Sequence, residues 1–194
     1  MTEIFDRSRR LVLRDDADES AVEELAALIG WPRRIDIPAD PEEWTPRQIS
    51  WYVGPAIALT YCEDLLSGFF YVMITGSDEK VIRSTVELAE STLNTWRLPE
   101  LVRSADPEAD PDTYAAEVLR LGLGAPVEFD EEFFRSVRRA LRSDRPEVRK
   151  NAVWAITYEP WPAYAPLLEE LLDEEQDEEV ADIARSVLEE MAAT

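Results

Sequence analysis

No histidine occurs in the 194-residue chain, and cysteine occurs once, at Cys62. Without histidine there can be no Ser-His-Asp triad, no Cys-His pair, no HExxH helix and no His-ligated zinc. A single cysteine cannot close an intrachain disulfide, which fits a reducing compartment and a cytoplasmic protein. On its apolar stretch Cys62 reads as a core thiol. Long apolar runs are also lacking. The longest, Phe69 to Ile74, falls far short of the roughly 20 residues a membrane helix needs, and Glu63, Asp64 and Gly68 interrupt its surroundings. Met1 to Arg14 carries Glu3, Asp6, Arg7, Arg9 and Arg10 with no apolar segment behind them, so no signal peptide is expected. Positive charge is the last shortage: 20 basic against 42 acidic residues leave a net charge of −22 and a pI near 4.3. Such a surface repels phosphate backbones and anionic membranes and attracts basic partners.

Hydrophobic residues make up 45% of the chain, enough for a buried core. Ala21, Val22, Leu25, Ala26, Leu28 and Ile29 recur at helical spacing and Gly30 stops the run, which predicts a short amphipathic helix. Pro32, Pro38, Pro41 and Pro46 make the next stretch an extended connection. Thr45 and Pro46 suit a helix start, and a helix carrying Ile49, Trp51, Tyr52 and Val53 is expected there. A second helix is expected over residues 56–74 and a third from Val81 to about Trp96, the two forming an αα-hairpin around Gly76-Ser77-Asp78. Leu11-Val12-Leu13 is the one candidate strand. Further helices are expected at Tyr114–Leu121, after Asp130 as N-cap, and over about 146–158, 163–172 and 178–191.

Asp144-Arg145-Pro146-Glu147-Val148-Arg149-Lys150-Asn151-Ala152-Val153-Trp154-Ala155-Ile156 has an acidic turn, a proline, Val-Arg, and then Ala and Ile one turn apart. A second copy runs from Asp177 to Leu188, pairing Val148 with Val180, Ala152 with Ala184 and Ile156 with Leu188 at a constant offset of 32. That period belongs to helical solenoids. Residues 130–192 thus resemble HEAT-like repeats, in the short bacterial variant shared with phycobilisome-lyase relatives. Ala181 departs from the pattern, which has Arg there, as suits a terminal repeat. Weaker copies are placed at Val81 and Tyr114 by spacing alone.

The resemblance implies an all-α fold, a right-handed α-α superhelix (HEAT-like solenoid), with an irregular N-terminal helical part. The expected divisions are 1–46 (helix and proline-rich connection), 47–125 (degenerate hairpins) and 126–194 (HEAT-like repeats), within one continuous domain. It also implies that Asn151, Trp154 and Tyr158 face a concave groove, with Trp161, Arg149 and Lys150 beside them, as partner-binding residues. Packing against Trp161 and Tyr164 is the alternative role for Trp154 and Tyr158. Trp44, Trp51 and Tyr52 form a second aromatic group, expected in the core. Arg135, Arg138, Arg139, Arg142, Arg145, Arg149 and Lys150 form the one dense basic patch, expected to pair with the acidic surface. Asp106, Glu108, Asp110 and Asp112 alternate like a calcium loop, but Pro111 stands where the turn needs Gly.

The expected function is a non-enzymatic protein–protein interaction module, a scaffold or adaptor. The alternatives are an acidic inhibitor or immunity protein of a basic, nucleic-acid-directed protein, and a lyase- or glycosylase-like enzyme reached by resemblance alone. No catalytic residue, cofactor or metal is expected. The expected partner is a protein, which the charge suggests is basic, with no direct nucleic acid and no membrane. The oligomeric state stays open.

Overall fold

The computed structural model describes residues 6–54 and 57–193. It divides into two compact units, Met1–Trp96 and Arg97–Thr194. The boundary thus falls between Trp96 and Arg97, whereas the sequence reading places its divisions at 46 and 125 of a continuous domain.

The first unit is built on an antiparallel sheet. Its strands are β1 (Asp6–Arg7), β2 (Leu11–Val12), β3 (Arg33–Ile37), β4 (Gln48–Trp51), β5 (Ile57–Glu63) and β6 (Phe70–Gly76). The order is β1-β6-β5-β4-β3, with β2 also paired to β6 and β3 at one edge. Between β1 and β2 the ladder is carried by Ser8. Its N–H donates to the Ile74 carbonyl at 2.8 Å, and its hydroxyl accepts the Ile74 N–H at 3.0 Å. Two helices accompany the strands, α1 (Glu19–Leu28) between β2 and β3 and α2 (Glu79–Thr92) after β6. Asp18 and Asp78 cap them by accepting backbone N–H groups of the first turn. Gly30, at φ +72, ends α1 in a Schellman motif: Gly30 N–H donates to Ala27 and Trp31 N–H to Ala26.

Alternation sorts the strand residues. Leu11, Ile49, Trp51, Leu59, Tyr61, Val72 and Ile74 share one face and are buried with Val22, Leu25 and Ala26 of α1 and Ile82 and Ala89 of α2. Burying each large side chain contributes roughly 1.5–3 kcal/mol. This core is the finding that overturns the all-α superhelix, the HEAT-like solenoid and the irregular N-terminal helical part. The helix expected after Pro46 is β4, and the helix expected over 56–74 is β5, a hairpin and β6. The αα-hairpin around Gly76 is therefore a strand followed by a helix. The physical reason lies in the second face of the sheet. Cys62, Tyr71 and Met73 are apolar enough to hide a period of two. Gly68, at φ +71, closes the β5–β6 hairpin. There Asp64 accepts hydrogen bonds from the Ser67 N–H and hydroxyl at 2.8 and 2.7 Å.

The second unit consists of α3 (Leu98–Ser104), α4 (Pro111–Leu123), α5 (Glu131–Ala140), α6 (Pro146–Tyr158), α7 (Ala165–Glu174) and α8 (Glu178–Ala193), with a 3-10 turn at Pro162–Tyr164. Helix α6 packs between α4 and α8, while α3, α5 and α7 pack on α4, α6 and α8 respectively. Val148, Ala152 and Ile156 are fully buried, as are Ala184 and, but for 1%, Val180. On α8 the next buried residue is Val187, with Leu188 half-buried. Gly122 is where α4 meets α6 most closely. A Cβ there would lie 2.5 Å from the Ala155 Cβ and 2.6 Å from its Cα.

Candidate functional site: the loop end of the sheet

The residues expected to bind a partner lie on and beside α6, and most are engaged within the helical unit. Asn151 donates its amide N–H to the Ala115 carbonyl at 3.0 Å, tying α6 to α4. Arg149 makes a two-pronged pair with Glu175, both bonds at 2.6 Å, and the Glu175 side chain is only 1% exposed. That pairing holds the Arg149 pKa above and the Glu175 pKa below their ordinary values. Lys150 meets Glu179 at 3.1 Å. Trp161 stacks on Tyr164 with centroids 5.4 Å apart and donates its indole N–H to the Val127 carbonyl. Tyr158 and Trp161 are buried, and Trp154 is half-buried.

The aromatic group of the first unit separates. Trp51 is in the core at 1% exposure, Tyr52 is half-buried, and Trp44 is 74% exposed. Trp44 sits on the turn joining β3 to β4. Asp40 and Thr45 close this turn through two backbone hydrogen bonds, each 2.9 Å. The Asp40 carboxylate accepts the N–H groups of Glu42 and Glu43 at 3.1 and 3.3 Å, which fixes the loop from inside. Closing the loop places Trp44 at φ 51, the one left-handed non-glycine residue among those described. A residue with a Cβ pays roughly 1–2 kcal/mol for that conformation. An exposed, strained tryptophan is therefore a poor choice for folding alone.

In an antiparallel meander the β3–β4 and β5–β6 connections emerge at the same end, and the turn after β2 joins them there. This end is acidic. Asp15, Asp16 and Asp18 follow β2, Asp40, Glu42 and Glu43 surround Trp44, and Glu63 and Asp64 open the β5–β6 hairpin. The Asp18 pKa is held below the usual carboxylate range by the Ser20 hydroxyl and the Ala21 amide. Both arginines at this end are compensated. Arg14 lies over the Trp96 ring at 4.2 Å, and Arg47 pairs with Asp36 and with Glu19. Phe70, 37% exposed, adds a second apolar element beside Tyr61. The result is an acidic sheet end that carries an exposed indole.

Sequence reasoning placed Trp44 with the core aromatics because it stands close to Trp51. Its position between Pro41 and Pro46, straight after Glu42-Glu43, was the available signal for a loop. Among the described residues no group of three or more Cys, Asp or Glu side chains is arranged to hold a metal ion, and no helix is long and apolar enough to cross a membrane. No protein-family model, curated protein or solved structure matches the chain, so the HEAT-like likeness of residues 130–192 rests on those residues alone.

Proposed function

We propose that this chain is a protein-binding module that docks the acidic loop end of its sheet onto a basic surface of another protein, with Trp44 as the anchor. The observation that carries the reading is Trp44, held at φ 51 with 74% of its surface open. Tryptophan dominates interface hot spots because one side chain fills a pocket and desolvates its surroundings. The carboxylates around it steer a cationic partner and repel polyanions. Basic protein surfaces commonly serve to hold phosphate backbones. Occupying one with an acidic sheet end would displace that ligand, so the role is that of an inhibitor of a basic, nucleic-acid-directed protein. A buried free thiol at Cys62 suits a cytoplasmic setting.

A photo-crosslinking residue at position 44 identifies the partner in cells, and affinities are then measured with the purified pair. Trp44→Ala is expected to weaken binding about 30-fold, the loss of one anchor at roughly 2 kcal/mol. Glu42→Lys with Glu43→Lys is expected to slow association and flatten its salt dependence between about 50 and about 500 mM. Wild-type affinity in both variants would sink the reading. Loss in Trp154→Ala with no loss in Trp44→Ala would move the docking surface to the helical unit, where Trp154 is half-exposed. A cross-link to a second copy of the same chain would replace the foreign partner by self-association.

A further inference from the structure

In a chain of net charge −22, the outward face of α5 is cationic. Arg135, Arg138, Arg139 and Arg142 recur at i, i+3, i+4 and i+7 and are exposed, while Phe133, Val137, Ala140 and Leu141 are buried on the opposite side. Between α3 and α5 runs a groove of about 820 Å³, lined by these four arginines and by Arg103, with Asp106 and Glu132. A neighbouring depression of about 400 Å³ shares Arg139 and Arg142 with it and adds Arg145 and Tyr114.

The arginines differ in how they are compensated. Arg135 pairs with Glu131 at 3.1 Å and Arg142 with Glu170 at 3.1 Å, both in open solvent where such pairs contribute little. Arg103, Arg138 and Arg139 have no carboxylate within 4 Å among the described residues. Arg139 is nonetheless fixed in place, because its guanidinium donates to the Ala105 carbonyl at 3.0 Å. It also lies beside the hydroxyl of Tyr114, a residue only 4% exposed, and that hydroxyl makes no well-formed hydrogen bond. Burial raises the Tyr114 pKa, so its hydroxyl keeps its proton and can donate. The junction of the two depressions therefore offers an ordered guanidinium without a counter-ion and an unused buried donor.

We infer that this junction binds a compact, multiply charged oxyanion of the pyrophosphate type, gripped by Arg139 and Arg142 and closed in by Arg103, Arg138 and Arg145. Planar guanidinium forks match tetrahedral oxyanions two bonds at a time. The acidic margin selects for compactness. Asp106 and Glu132 line the larger depression and Asp144 the smaller, so an extended phosphodiester chain running along both would meet carboxylates. A diphosphate group held at the junction spans less of that lining.

Calorimetric titration of the full chain with pyrophosphate, inorganic phosphate, a single-stranded oligonucleotide and a poly-glutamate peptide, at one ionic strength, tests the inference. Pyrophosphate is expected to bind, and inorganic phosphate to bind at least several-fold more weakly. Arg139→Gln and Arg142→Gln should each weaken pyrophosphate binding about tenfold or more, the loss of one charge-assisted fork. Tyr114→Phe should weaken it a few-fold, and Arg185→Gln on α8 should leave it unchanged. Arg142→Gln removes no backbone support, so it keeps the test open if Arg139→Gln fails to fold. No pyrophosphate heat, equal binding in Arg142→Gln, or tighter binding of the oligonucleotide or the peptide would each overturn the inference.

Discussion

At the scale of single residues, two positions set function and folding against each other in opposite ways. Trp44 holds a backbone conformation that asparagine adopts with little cost. Trp44→Asn is therefore expected to keep or raise stability, by up to about 1 kcal/mol in urea denaturation, while abolishing partner binding. A fall in stability would mean that the indole is packed and not presented. Gly122 is the reverse case, a position where only the fold is at stake. Its missing Cβ lets α4 rest on the Ala155 backbone, and the clash distances of 2.5 to 2.7 Å leave no room for a methyl group. Gly122→Ala is expected to destabilise the helical unit by about 2 kcal/mol, the usual cost of overpacking, read as a lowered thermal midpoint. Neither residue was understood from sequence alone. The helix expected at Tyr114–Leu121 stops short of Gly122, whereas α4 runs through it to Leu123 and Gly124 sits at the C-cap. A close helix approach depends on what stands opposite, which no local pattern contains.

At the scale of elements, the pair that ties α6 to the α7–α8 turn controls acid sensitivity. Glu175 accepts from Arg149 and from the N–H groups of Gln176 and Asp177, and its pKa is lowered from 4.5. A lowered carboxylate pKa contributes stability that is present above the unfolded value and lost as pH falls through the folded value. Glu175→Gln leaves the Arg149 charge enclosed without a partner and is expected to cost about 3 kcal/mol at neutral pH. The gap to wild type should hold above about pH 4.5 and close below it. A gap independent of pH would show that packing, not charge, is what the substitution disturbs. Elements of this unit were legible because their stripes repeat every 3.6 residues and an acid or proline opens each of them. Asp130 announced α5, and α6 was read over its observed span. Helix α3 was missed because seven residues are too few to show a period. Its start is marked by the Arg97 N–H donating to the Glu100 carboxylate and by Pro99 in the first turn. The strands failed for a different reason. Ile49-Ser50-Trp51 does alternate, but β5 and β6 carry apolar or small residues on both faces, and such runs cannot be told from buried helices by period alone. The β-branched and aromatic content of Phe69 to Ile74, bounded by Gly68 and Gly76, was the better guide.

At the scale of the whole molecule, net charge decides behaviour in solution. Self-repulsion among carboxylates opposes compaction, and salt screens it. Raising sodium chloride from about 50 to about 500 mM is expected to raise the thermal midpoint while weakening partner binding. If both moved the same way, the acidic surface would not be the binding surface. With no histidine in the chain, none of its side chains has an ordinary pKa between pH 5 and 8. Affinity should therefore be flat from pH 6 to 8, and any slope measured there belongs to the other protein. The border strand β3 has a last consequence. It is five residues long, preceded by Pro32 and followed by Pro38, with its register broken between Arg33 and Ile35. Amyloid grows by recruiting fresh chains onto a straight, unguarded ladder. This one is short, bent and stoppered at both ends, so the β3 edge offers no template from which a fibril could start.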